Sequence, residues 1–207
     1  HVRLWIVLLK KQALSARSIN RKVSALKIFF NYCKRERMVR FNPLLKIKSL
    51  KEADRLPVVV AQSNLLDLFE REDVFGKDFN GFRDRLILEL FYQTGIRLSE
   101  LRFIKLFDYY HIERELRIIG KRNKERIIPL NQNIIKLLNN YIKLRGKQFP
   151  TIKSPYLFLT KNGKQTYSKM IYRIVNHYLS IVSTVQKRSP HVLRHAFATH
   201  LLNNGAD

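Results

Sequence analysis

Four side chains in three separate segments have the types and spacing to act on an anion: Arg97 in TGIRLSE, Lys121 in GKRNKER, and His191 with Arg194 in SPHVLRHAFATH. Arginine forks bind phosphate oxygens in pairs. Fixed cations also stabilise charge that develops on a phosphoryl group in transit, at about 2.7–4 kcal/mol of barrier for one preorganised donor. His191 and Arg194 are three apart, so they share a face near the positive end of a helix, where an anion is favoured. His191 and His195 have metal-ligand spacing, but no carboxylate or cysteine stands close in sequence to complete such a site. With no obvious metal-binding carboxylate cluster in the sequence, the chemistry expected is phosphoryl transfer by cationic clamping.

Arg97, Lys121 and the histidines beyond His191 also have a plainer explanation. Arg97 and Glu100 are three apart, and an intrahelical pair of that kind is worth only about 0.2–0.5 kcal/mol. Lys121 falls in a hairpin turn, where lysines are commonly solvated, although such a tip is also shaped to enter a DNA groove. His195 and His200 stand among Ala196, Phe197 and Leu201 and read as core histidines.

The elements that position these residues follow from periodicity. An apolar helix spans residues 2–11. The next carries Ile19, Val23, Leu26, Phe30 and Cys33 on one stripe at helical spacing. Arg17, Arg21 and Ser24 share another face, with Lys22 and Lys27 nearby, and almost no acids balance them. A polar stretch ending at Pro57 reads as a linker. Helices are then expected near 63–71 and 82–93, the second closed by Thr94-Gly95 with glycine supplying positive φ. Arg97 is expected on the helix that follows. Short strands at 109–113, 116–120 and 126–130 are separated by polar turns. Helices near 133–144 and 168–182 come next, then one opened by Ser189-Pro190.

Lys and Arg number 40 against 16 Asp and Glu, a formal net charge of +24. Residues 1–52 hold 14 of those bases and two of the acids, half of the excess in a quarter of the chain. Self-repulsion on this scale disfavours the compact state, so it points to a polyanionic partner. No apolar run approaches the roughly 20 residues a membrane span needs, no signal peptide is visible, and nucleic acid is the expected partner. Cys33 is the only cysteine. It permits no internal disulfide and fits a reducing cytosol.

YQTGIRLSELRFI (92–104), IIGKRNKERIIPL (118–130) and SPHVLRHAFATHLLNNGAD (189–207) resemble, in order and spacing, successive signatures of the tyrosine recombinase (phage-integrase-like) family, closest to its Xer-type site-specific members. The likeness covers nearly the whole chain. It implies a mainly α fold with a small antiparallel β-sheet: a helical, SAM-like core-binding domain over 1–48, a linker over 49–57, and a DNA breaking-rejoining catalytic domain over 58–207. Arg97 and Arg194 would hold the scissile phosphate, Lys121 would protonate the departing 5′-oxygen, and His191 would assist proton transfer. Glu100 would orient the first arginine. Arg17, Arg21, Lys22, Lys27, Arg122 and Lys124 are the expected DNA contacts. Arg122 stands where the related turn often has glycine.

The reaction implied is site-specific recombination through a 3′-phosphotyrosyl intermediate, with no metal and no cofactor, by a homo- or hetero-tetramer on double-stranded DNA, in the cytoplasm at the nucleoid. Xer-like resolution of chromosome dimers is the expected role. Integration of a mobile element and non-catalytic DNA binding are the alternatives. No membrane or small-molecule substrate enters. The family's tyrosine follows the HxxR motif, whereas Tyr178, the last tyrosine here, precedes His191. No nucleophile is therefore expected within the chain, which reads as truncated at its C-terminus and short of its first N-terminal helix.

Overall fold

In a computed structural model the described residues are 1–51, 60–71, 73–185, 188–203 and 205. The expected linker over 49–57 lies largely outside them. The chain divides into two units, His1–Leu56 and Pro57–Asp207.

In the first unit, α1 (Val2–Lys11) and α2 (Ala16–Arg35) bury the predicted stripe. Leu9, Ile19, Val23 and Leu44 form its centre, with Trp5, Leu26 and Phe30 packed against them. Ser15 caps α2 by accepting a hydrogen bond from the Ser18 amide at 3.2 Å, satisfying a donor the helix start would leave open. The following segment is pinned back by side-chain amides. Asn42 donates to the Lys27 carbonyl and the Asn31 side chain, while Asn20 exchanges two hydrogen bonds with the Leu50 backbone. Lys27 also donates from Nζ to the Ile47 carbonyl at 2.6 Å.

The second unit is built around α4 (Phe79–Thr94), whose Leu86, Ile87, Leu88, Leu90 and Phe91 are all buried. A helix apolar on most of its circumference belongs inside. Here α6 (Gln132–Gln148), α7 (Ser168–Val182) and α8 (Pro190–Asn203) pack on α4, and α3 (Gln62–Glu70) packs on α7. The helix starts three residues before the Phe82 expected from sequence. Asp78 caps it by accepting from the Gly81 amide at 2.9 Å. Residue 81 must be glycine, since a Cβ there would lie 1.8 Å from the Gly76 carbonyl oxygen.

Between α4 and α6 stand the short α5 (Leu98–Phe103) and a three-stranded antiparallel sheet of β1 (Tyr109–Tyr110), β2 (Glu115–Ile119) and β3 (Glu125–Pro129), in that order. The predicted first strand is cut to two residues by a turn through 111–114, where Arg114 takes φ 60°. Leu116 pairs with Ile128 and Ile118 with Arg126. Leu116 and Ile118 are buried against the core, and cross-strand partners share a face, so Arg126 points the same way. The fold is mainly helical with a small antiparallel sheet, as the sequence implies.

Candidate active site

Gly95 ends α4 in the left-handed conformation (φ 57°) and turns the chain directly into α5. Arg97 does not lie within that helix, as its sequence suggested. It is the extended residue capping its start, at φ −80° and ψ 150°. Its amide donates to Oε2 of Glu100 and its Nη1 to Oε1, both at 2.9 Å. Backbone and side chain of Arg97 are thus fixed by one carboxylate, yet the side chain stays 54% exposed.

Glu100 itself is buried, and Arg126 grips it from β3 through Nη1 to Oε1 at 3.1 Å and Nη2 to Oε2 at 2.7 Å. Burial pushes the Glu100 carboxyl upward. The hydrogen bonds from Arg126, and then from the amide and guanidinium of Arg97, outweigh it and hold the carboxyl at about 2.

Arg194 reaches the same place from α8, donating from Nη1 to the Gly95 carbonyl. Burial lowers its pKa, and the neighbouring positive charge of Arg97 lowers it further. Phe197, one turn on, lies over Gly95, where a Cβ would meet Cδ1 of the ring at 2.4 Å. Glycine at 95 serves both the turn and the approach of α8. Arg97, Arg126, Arg194 and His195 line one cleft of about 490 Å³, together with Thr94, Gly95, Phe197 and Ala198.

Three guanidiniums around one carboxylate leave two uncompensated positive charges. A phosphodiester brings one negative charge, and a pentacoordinate phosphoryl transition state carries two. The cleft therefore matches the transition state better than the ground state, which is the condition for catalysis by electrostatic preorganisation.

Lys121 and His191 are both exposed and neither lines this cleft. Lys121 opens the turn between β2 and β3, which the Gly120 amide closes onto the Lys124 carbonyl at 2.7 Å. The base of that turn abuts the site, since a Cβ on Gly120 would lie 3.3 Å from Oε1 of Glu100. His191 sits on the first turn of α8, three residues before Arg194.

Of the remaining candidates, Arg17, Arg21, Lys22, Arg122 and Lys124 are exposed, whereas Lys27 is half-buried and bonded to Ile47. His195 does not belong to the core, as its apolar neighbours suggested. It is exposed and lines the cleft. His200 is buried and its Nδ1 meets the Tyr92 hydroxyl at 3.2 Å.

No tyrosine among the described residues lines the cleft. Tyr178 is buried against Phe75 at 4.5 Å, and burial pushes its hydroxyl to about 12. Tyr141 is likewise held at about 12 by burial, donating to the Leu157 carbonyl and accepting from the Leu159 amide. No group of three or more His, Cys, Asp or Glu side chains among the described residues is placed to hold a metal ion, and no described helix is long and apolar enough to cross a membrane.

Sequence reasoning missed Arg126. The signal was available in the alternation of β3, which turns Arg126 and Ile128 inward and Glu125 and Ile127 out.

The chain is 37% identical over 197 residues to tyrosine recombinase XerD of Staphylococcus haemolyticus, covering 95% of this chain and 66% of the relative. It is 33% identical over 225 residues to tyrosine recombinase XerC of Chlorobaculum parvum, covering 100% and 67%. The chain thus spans about two thirds of the length of the curated relatives it matches. Among solved structures, a XerH site-specific recombinase bound to palindromic difH substrate in a post-cleavage complex superposes with a TM-score of 0.79 at 23% identity, over 98% of this chain and 62% of that one. The Tn1549 transposon integrase in complex with transposon right-end DNA superposes with a TM-score of 0.74 at 22% identity, over 98% and 72%. The family model described as the phage integrase family matches residues 61–207, the segment that carries Arg97, Glu100, Lys121, Arg126, His191 and Arg194, and the chain belongs to that family.

Proposed function

We propose that this chain is the DNA-gripping and phosphate-activating part of a tyrosine-type site-specific recombinase. It acts on duplex DNA as a tetramer, in the cytoplasm at the nucleoid, and its resemblance to Xer-type recombinases supports the resolution of chromosome dimers as its role. The observation that carries this reading is the cleft in which Arg97, Arg126 and Arg194 surround the single carboxylate of Glu100. A binding module needs positive charge, but not guanidiniums preorganised on a buried carboxylate with an excess of two.

In the reaction, Arg97 and Arg194 hold the non-bridging oxygens of the scissile phosphate. A tyrosine hydroxyl supplied from outside residues 1–207 attacks phosphorus, and His191 assists removal of its proton. The bond from phosphorus to the 5′-oxygen breaks, and Lys121 gives that oxygen a proton. The phosphotyrosyl link keeps the bond energy, so a free 5′-hydroxyl attacking in reverse rejoins the strand without a nucleotide cofactor or a metal ion.

The test uses the full-length protein, incubated with pooled nicked duplexes and denatured in SDS. A covalent protein–DNA adduct that disappears in Arg97→Ala is the expected result, and sequencing its DNA distinguishes a chromosomal site from the end of a mobile element. Salt-sensitive binding with no adduct on any duplex would replace this reading with a non-catalytic DNA-binding one.

A further inference from the structure

Arg126 is the cation at the cleft to which none of these roles belongs. Its fork closes a complete set of hydrogen bonds on Glu100. Oε1 accepts from Nη1 of Arg97 and Nη1 of Arg126, and Oε2 accepts from the Arg97 amide and Nη2 of Arg126. An exposed ion pair contributes little, but this carboxylate is 3% exposed, and a buried acceptor left unmatched is costly. With Arg126 holding one side of the carboxylate, Arg97 spends only Nη1 of its guanidinium on Glu100 and keeps its other donors for an anion.

The pair also joins two elements. Glu100 lies on α5, immediately behind Arg97. Arg126 lies on β3, two residues beyond Lys124, whose carbonyl closes the turn that starts at Lys121. One residue past the end of β2, Gly120 sits so close that a Cβ would come within 3.3 Å of Oε1 of Glu100 and 3.6 Å of Nη1 of Arg126. Both ends of the lysine turn are therefore registered against the carboxylate that fixes Arg97.

We propose that Arg126 is a positioning residue: through Glu100 it sets the β2–β3 hairpin, and with it Lys121, in place relative to Arg97, a role that presupposes the strand-cleavage reading above. Lysine at 126 keeps the charge but cannot span both carboxylate oxygens, so the fork itself is open to test.

The full-length protein is compared with Arg126→Lys, Arg126→Met and Lys121→Ala on two duplexes. One has the ordinary scissile phosphate, and the other has sulfur in place of its bridging 5′-oxygen. A thiol is acidic enough to leave without a proton, at about 8.5 for a cysteine side chain, so cleavage of the second duplex bypasses the lysine.

General acid catalysis is worth about 10²–10⁴-fold. Both Arg126 variants are expected to cut the ordinary duplex slower by about 100-fold, the low end of that range, and to bind it like the parent. Arg126→Lys, which keeps the charge of the site, should recover most of the loss on the sulfur duplex, as Lys121→Ala does, whereas Arg126→Met should recover less because it also removes one of the two excess positive charges. Unchanged cleavage beside an active parent would overturn the role of Arg126 alone. A defect of Arg126→Lys equal on both duplexes, or a loss of DNA binding in both variants, would also overturn it, because neither defect passes through the lysine. A parent that forms no adduct on either duplex would sink the recombinase reading itself.

Discussion

The ring of Phe197 occupies the space that a side chain at residue 95 would need, with Cδ1 2.4 Å from the position of a Cβ on Gly95. This contact seats α8 on the turn that launches Arg97, and it brings Arg194 onto the Gly95 carbonyl. Gly95→Ala must therefore adopt a left-handed backbone at a cost of about 1–2 kcal/mol and displace a packed ring at about 1–3 kcal/mol more. Urea unfolding should show a loss of about 2–5 kcal/mol, and strand cleavage by the full-length protein should fall further than stability alone explains. A variant of unchanged stability would show that α8 does not seat on this turn.

Glu100 gives the site an acid-side dependence whose direction is fixed. Its carboxyl is held at about 2 against an ordinary 4.5 because the folded state stabilises the ionised form. The stabilisation is fully present above about 4.5 and is lost as pH falls toward 2. Asp84 and Glu89 run the other way, since burial raises both and their ionisation works against folding. The contribution of Glu100 must therefore be isolated by difference. The stability gap between the parent and Glu100→Gln, followed by urea unfolding, should be largest above pH 4.5 and should narrow continuously down to pH 2. A gap independent of pH would mean that the charge of Glu100 does not matter to the fold.

Much of this arrangement was legible from sequence where one element sufficed. The α2 stripe, the Thr94-Gly95 stop and the Ser189-Pro190 start each depend on local spacing, and each was found at its expected place. What required two elements at once was not legible. Arg126 belongs to the site only because β2–β3 register puts it opposite Ile118 and facing α5. Arg97 passed for a helical residue because its caplike backbone is set by Glu100 rather than by its own propensity. His195 and His200 both stand among apolar neighbours, but five residues along a helix rotate the side chain by about 140°. One therefore turns to the cleft and the other to Tyr92.

Lysines of similar promise in α2 should behave differently. Lys22 is exposed, while Lys27 spends a hydrogen bond on the Ile47 carbonyl and helps hold the returning segment. If α2 lies on DNA, Lys22→Ala should weaken binding about equally for all sequences and reduce the slope of log K against log salt by about 1. Lys27→Ala should instead lower the stability of residues 1–51 by about 0.5–1.5 kcal/mol, the typical worth of one such bond. Salt titrations of affinity and thermal unfolding of each variant separate the two. Equal effects of both substitutions on the salt slope would place Lys27 on the DNA as well.

The tip of the lysine turn carries its own backbone cost. Arg122 and Asn123 are both left-handed, at φ 61° and 58°. Asparagine tolerates that region, whereas an arginine there costs about 1–2 kcal/mol. Glycine at 122 would remove the cost but bring back about 0.5–1 kcal/mol of unfolded-chain entropy. Arg122→Gly should accordingly stabilise the protein, by up to about 1.5 kcal/mol, and raise its melting temperature. Arg122→Ala keeps the strain and should not. Both variants lose the same exposed cation, so both should show the same decrease of about 1 in the salt slope if Arg122 meets a phosphate. Arginine at this position then trades turn stability for a DNA contact. Equal melting temperatures for Gly and Ala, or an unchanged salt slope, would remove one side of that trade.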